Sequence, residues 1–172
     1  MATIIRNRQI VADSWQLHKP EAGGSSFSVP PAGDVIVPLA LWRARREALA
    51  ERSGKLGVWL DSHEDPADIA AELGRFAVVA VNFPKFGDGR GFSTARLLRE
   101  RYGYRGELRA VGEVLRDQLL FMARCGFDAF LLREDQDAEE ALSAFDDFND
   151  GYQGWVEQPQ PLFRRRLEGR CA

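Results

Sequence analysis

Cysteine and histidine are scarce. The 172-residue chain has two cysteines, Cys125 and Cys171, and two histidines, His18 and His63, all far apart in sequence. No CxxC pair and no His/Cys cluster exists, which leaves zinc, iron–sulfur and thioredoxin-type chemistry without ligands. No tightly bound metal is expected. Long apolar runs are also missing. None reaches the length of about 18 residues that a membrane span needs, and the N-terminal "MATIIRNRQIVADSW" lacks the apolar core of a signal peptide. The expected setting is the cytoplasm, without a membrane partner. Charge of one sign is not in excess: 23 basic against 26 acidic residues give a net charge of −3. Nucleic acid is therefore not an expected partner, and any anion site must be local. No repeat or low-complexity tract is evident.

What the chain does have is a rhythm of short apolar runs and amphipathic stretches. β-Branched residues on both sides of Arg6-Asn7-Arg8 predict a β segment over residues 2–17 with a turn between. Residues 18–34 are rich in Gly, Ser and Pro and predict a mobile loop. Five strands follow, in "DVIVP", "KLGVWL", "FAVVAVNF", "GELRAVGE" and "FDAFLLRE". Helices of about three turns are predicted between them. One has Asp65 as cap and Pro66 at its first position. The next has Ser93 as cap. Another, over 114–125, turns Leu115, Leu119, Phe121 and Met122 inward. Strands alternating with helices indicate βαβ units. The expected fold is α/β, an open and mainly parallel sheet of about five βα units with an N-terminal β segment. A partial, barrel-like curl of the sheet is the alternative. One domain over 1–172 fits the length. The aromatic, Pro-interrupted, basic tail 151–172 reads as a C-terminal arm that packs back or bridges to a second copy. In the second case "FRRR" at 163–166 would meet the acidic helix 135–150 of that copy.

Ligands of open parallel sheets collect at the carboxyl ends of the strands. That rim holds Asp61, Ser62, His63 and Glu64, then Asn82, Lys85, Asp88, Arg90 and Ser93, then Glu113 and Arg116, then Arg133 and Glu134. The loop at 84–93 is the leading anion candidate. Gly87, Gly89 and Gly91 permit positive φ and close approach to the backbone. Ser93 and Thr94 open a helix whose free N–H groups favour an anion, and Lys85 and Arg90 add charge. A phosphate, sulfate, sulfite or carboxylate suits such a loop. The plainer alternative is a surface turn in which Asp88 bonds its own backbone. The spacing matches neither a Walker A loop nor a GxGxxG dinucleotide turn. A second cluster, Arg109, Glu113, Arg116 and Asp117, alternates in sign around a strand-to-helix junction. It reads either as an active rim or as a buried ion-pair network. Glu113 and Arg116, just past the strand, are the functional candidates; Arg109 and Asp117 are structural ones. Asp88 and His63, beside Asp61 and Glu64, complete the catalytic candidates. Cys125 reads as a buried small hydrophobe, and the four tryptophans as core or interface anchors.

The stretches "FPKFGDGRGFSTARLLR" and "GELRAVGEVLRDQ" resemble a bacterial family of small uncharacterised proteins. Its members are labelled oxidoreductases involved in sulfite reduction, because their genes lie beside that of the sulfite reductase hemoprotein. The resemblance implies a role in assimilatory sulfur metabolism and that hemoprotein as partner. It brings no catalytic residues or cofactor assignment with it; flavin or a phosphorylated ligand is compatible with the sequence. Two functions follow as expectations. One is an accessory protein that binds an oxyanion or phosphorylated ligand and assists sulfite reductase. The other is an oxidoreductase acting on a sulfur oxyanion, a sulfated nucleotide or a flavin-linked substrate.

Overall fold

The computed structural model describes residues 3–18, 29 and 32–169. Most of the predicted 18–34 loop lies outside the described residues. The N-terminal segment forms a hairpin of β1 (Thr3–Arg6) and β2 (Gln9–Ala12). Its turn residues Asn7 and Arg8 both have positive φ, 50° and 60°, the backbone that matches a two-residue hairpin to strand twist. A two-residue strand β3 (Gln16–Leu17) precedes β4 (Val35–Pro38), β5 (Leu56–Leu60), β6 (Val78–Phe83), β7 (Glu107–Gly112) and β8 (Ala129–Phe130). Strands β3 to β8 are parallel and lie side by side in chain order. The hairpin joins antiparallel at β8, giving eight strands in the order β2-β1-β8-β7-β6-β5-β4-β3.

This order forces a curl. β2 and β3 are the two edges of the sheet, yet only Asp13, Ser14 and Trp15 separate them in sequence. Four Cα steps span at most about 14 Å. Across a flat sheet, seven strand spacings would set the edges about 33 Å apart. The sheet therefore bends into a half-barrel, and the segment 13–15 crosses its opening. Of the two sequence expectations, the barrel-like curl describes the sheet best.

The convex face carries the helices. Alternate strand residues such as Val58, Val79, Val81 and Leu108 pack against helical Trp42, Ile69, Leu98 and Met122 in one large cluster. The helices are α1 (Leu39–Ala44), α2 (Arg46–Glu51), α3 (Arg90–Arg96), continued by a π-helical turn at Leu97–Arg101, α4 (Leu119–Arg124), α5 (Ala138–Leu142) and α6 (Leu162–Leu167), with a ten-residue 3₁₀ segment at Pro66–Arg75. Asp65 caps that segment by accepting from the Ala67 N–H at 2.9 Å. The helical stretch predicted between the first two of the five strands is split where Arg45 leaves helical angles (φ −135°, ψ 34°). α3 begins at Arg90 rather than at Ser93, because the Asp88 carboxylate accepts the Arg90 N–H at 3.2 Å. The concave face has its own smaller cluster of Ile36, Val78, Ala80 and Val111, with Trp15, Leu17, Trp59 and Leu131 against it.

Candidate functional site

Inside the curl, the strand registers line up a row of side chains. Arg109 of β7 stands opposite Ala80 of β6 and Ala129 of β8, and Ala80 opposite Trp59 of β5. The two alanines leave the volume that the Arg109 side chain fills. It is 2% exposed. A buried guanidinium must be paired. Arg109 meets Asp13 of the crossing segment at 2.8 Å and Glu107 of its own strand at 2.7 Å. Arg109 is thus structural: it ties the crossing segment to the middle of the sheet.

One row higher, at the carboxyl ends of the strands, the curl opens into a cleft of about 680 Å³. Its floor and walls are apolar: Ile4, Leu17, Trp59, Val111 and Leu131. The rim is polar, with Asn82, Glu113, Arg133, Glu134 and Gln136. The Asn82 amide donates to Asp61 at 3.2 Å. Its other side faces Gly112, where φ is +93° and a Cβ would lie 2.5 Å from Asn82 Oδ1 and from the Phe83 carbonyl. A glycine is required here twice over, by conformation and by space. The chain past Gly112 is held by the Glu113 N–H donating to the Phe83 carbonyl at 2.8 Å. That anchor fixes Glu113 at the rim, where its carboxylate accepts from Arg133 Nη1 at 2.8 Å. Asp135 takes the Nε and Nη2 of the same guanidinium at 2.6 and 2.7 Å. Asp135 first and Glu113 second raise the Arg133 pKa, and Arg133 in turn holds the Asp135 carboxyl below its usual range.

The glycine-rich loop sits beside this rim. None of Gly87, Gly89 and Gly91 has positive φ; the sequence expectation of left-handed glycines is corrected here. Gly91 serves packing instead: a Cβ there would meet the Phe83 ring at 2.7 Å. Asp88 turns back on its own loop. Its carboxylate accepts from the Arg90 N–H and takes the guanidinium at 2.9 and 2.7 Å, while Arg90 Nη2 also donates to Ser62 Oγ at 2.9 Å. The bond from Arg90 holds the Asp88 carboxyl well below the usual carboxylate range, and Arg90 is raised in return. The loop therefore offers an arginine that already holds a carboxylate. Lys85, Gly87 and Gly89 lie at the surface or partly exposed, while Thr94 is buried inside α3 and bonds the Arg90 carbonyl.

The other candidates disperse. Arg116 points away from the cleft and ties to Ser143 and Asp147 at 3.0 and 3.1 Å. Asp117 is exposed. His63 is exposed, 3.9 Å from Asp61. Ser93 lines a different groove, on the convex side with Phe121 and Tyr152. Leu119 and Met122 of α4 face the core as expected, but Phe121, expected inward with them, is 56% exposed. Cys125 is buried, as its context suggested. The Arg99–Asp128 pair was invisible in sequence. Arg99 donates to three backbone carbonyls and to Asp128 at 2.7 Å, locking the amino ends of β7 and β8. Among the described residues, no group of His, Cys, Asp and Glu is placed to hold a metal ion. Nor is any helix among them long and apolar enough to cross a membrane.

The model of a bacterial protein family of unknown function, DUF934, matches residues 57–163. The chain belongs to this family. The matched span runs from β5 to α6 and contains most of the rim, the glycine-rich loop and the Arg133 bridge; the crossing segment and the β-hairpin precede it. No curated protein matches the chain.

Proposed function

We propose that the protein is a ligand-binding accessory protein of assimilatory sulfite reduction that assists the sulfite reductase hemoprotein. The ligand has an apolar, flat body and an oxyanion or phosphate group. The observation that carries this reading is the cleft at the mouth of the half-barrel, an apolar floor under a rim that holds a doubly paired arginine. Its volume of about 680 Å³ is in the range of sites for small organic ligands. The body of the ligand covers Trp59, Val111 and Leu131. Its anionic group replaces one carboxylate on Arg133, so the guanidinium exchanges one partner for another and is never left unpaired. Arg90 offers a second exchange of the same kind, against Asp88, beside the exposed Lys85, Gly87 and Gly89. The pathway rests on the sequence resemblance.

Binding is favoured over acid–base catalysis by the direction of the pKa shifts at the rim. Asp88 and Asp135 are lowered and Arg90 and Arg133 raised, all by mutual pairing. Such groups hold charge; they are not poised to pass a proton near neutrality. A deletion strain tests the assignment. Growth on sulfate and on sulfite is expected to fall while growth on cysteine stays normal. The parent gene is expected to restore it, and the Trp59→Ala/Arg133→Ala double variant is not. Unimpaired growth on sulfate and sulfite would overturn the role.

A further inference from the structure

The two carboxylates that hold Arg133 are not equivalent. Asp135 takes Nε and Nη2 together, at 2.6 and 2.7 Å. It belongs to the same turn, which the Gln136 N–H closes by donating to the Arg133 carbonyl at 3.0 Å. Glu113 comes from another loop and accepts from Nη1 alone, at 2.8 Å. Glu113 also lines the cleft, and Asp135 does not. A guanidinium carries five N–H donors in a planar fork. With Asp135 on the edge of Nε and Nη2, a ligand is left the end of the fork, where Glu113 sits. An anion arriving through the cleft therefore competes with Glu113, while two-point pairing keeps Asp135 in place. The backbones need not move. The Glu113 N–H is fixed to the Phe83 carbonyl, and the Arg133 N–H donates to the Val114 carbonyl at 3.1 Å. Rotation of the Glu113 side chain, 38% exposed, is enough.

The displaced carboxylate stays at the site. Glu113 and Glu134 both line the cleft, and Arg133 is the one basic residue that does so among the described residues. The other charges of the rim are engaged or outward. Asp61 accepts from the Asn82 amide, Glu64 from the Asp61 N–H, Arg90 holds Asp88, and Arg116 is tied to Asp147. Lys85, His63 and Asp117 are exposed. The anionic group on Arg133 thus has acidic neighbours, and here two oxyanions of one shape differ. A sulfate ester has only acceptors, so its oxygens face the carboxylates as like charges. A phosphate monoester has a second pKa of about 6 and keeps one O–H in its monoanion. That O–H donates to a carboxylate, one of the strong, charge-assisted hydrogen bonds.

We propose that Glu113 is the partner Arg133 gives up to the ligand. The released carboxylate, with Glu134 beside it, makes the cleft select a proton-bearing phosphate monoester over a sulfate ester of the same shape. This rests on the cleft being the binding site, and it adds the chemical class of the ligand's anionic group.

Calorimetry on the full chain with 2-naphthyl phosphate and 2-naphthyl sulfate, which share one flat body, tests it. The parent is expected to bind the phosphate ester about tenfold more tightly, or better. Lowering the pH from about 8 to about 6 is expected to strengthen the phosphate ester about tenfold or more and to leave the sulfate ester unmoved. His63, exposed beside Asp61, acts on both esters alike, so the difference between them reads the phosphate. Glu113→Gln keeps the shape and removes the charge. It is expected to tighten the sulfate ester and cancel the preference, whereas a merely structural Glu113 would weaken both esters together. Glu134→Gln, at an exposed position, is expected to lower the preference in the same direction. Equal binding of the two esters by the parent, each weakened by Trp59→Ala, overturns the selection and leaves the cleft as the site. A preference that survives Glu113→Gln also overturns it. Binding of neither ester, or binding indifferent to Trp59→Ala, overturns the cleft reading and this inference with it.

Discussion

The Asp13 carboxylate meets the Arg109 guanidinium at 2.8 Å inside the curl of the sheet, across 96 residues of chain. Asp13 belongs to the three residues that cross between the sheet edges, and Arg109 to a central strand, so this one ion pair fastens the half-barrel from within. Removing one partner leaves the other charge buried and alone, at a cost of about 3–5 kcal/mol. Asp13→Asn is expected to lower stability by an amount in this range. Asp13→Asn/Arg109→Met is expected to cost less than the sum of its two single changes. Denaturant melts of the three variants measure both. Strict additivity would show that the two residues do not act as a pair.

Gly112 supports the rim through its backbone. At φ +93°, and with Asn82 and the Phe83 carbonyl where a Cβ would go, Gly112→Ala must displace the start of the Glu113 segment. A loss of about 1–3 kcal/mol is expected from the backbone conformation alone, with Asn82 moved off Asp61. Thermal melts check the first, and the amide resonances of Asn82 and Glu113 the second. A variant with parental stability and an unmoved Asn82 would contradict the geometry.

Cys125 should be chemically silent. Burial pushes its thiol up to about 11, above the ordinary value of about 8.5. Thiolate is the reactive form. Alkylation by a thiol reagent at neutral pH is therefore expected only on unfolding. The sign of the linkage follows: because the folded pKa is raised, the contribution to stability is complete below about pH 8.5 and is lost as pH rises from there toward 11. Rapid labelling of native protein at Cys125 would contradict the burial.

Asp88 and Asp135 titrate on the other side. Arg90 and Arg133 depress them, so their contributions are complete above the unfolded carboxylate value of about 3.9. These are lost only as pH falls through the lower folded values. Carboxyl-carbon NMR is expected to show both still ionised where exposed aspartates are half protonated. Titration at the ordinary value would mean that the pairs do not persist in solution.

Much of this architecture was legible in the sequence. The alternation of apolar runs with helical stretches showed the βα units, and Arg6-Asn7-Arg8 showed the hairpin turn. The degree of curl was not legible. It depends on which strands form the edges, and β3 is two residues long, too short for periodicity to reveal. The rim residues Asp61, Asn82, Glu113 and Arg133 could be placed because the carboxyl-end rule needs only the strand assignments. Trp59 could have been found from the alternation in β5, which sets it on the face opposite Val58 and Leu60. Arg116 could not be told from Glu113 in sequence. Both follow β7, and only the docking of the 143–147 segment draws Arg116 away from the cleft. The glycines of the 84–93 loop suggested left-handed turns, but close packing against Phe83 explains Gly91 without them.

Calorimetry at the cleft tests the central claim most directly. The parent and the single variants Trp59→Ala, Arg133→Ala and Arg90→Ala would be titrated with sulfite, sulfate, phosphate, AMP and FMN. The account predicts that a ligand joining a flat ring to an anionic group binds the parent more tightly than the inorganic anions do. Trp59→Ala and Arg133→Ala are each expected to weaken it about tenfold or more, the loss of about 1.4 kcal/mol. Binding that is unchanged in both variants, or a parent that binds none of the five, would contradict it.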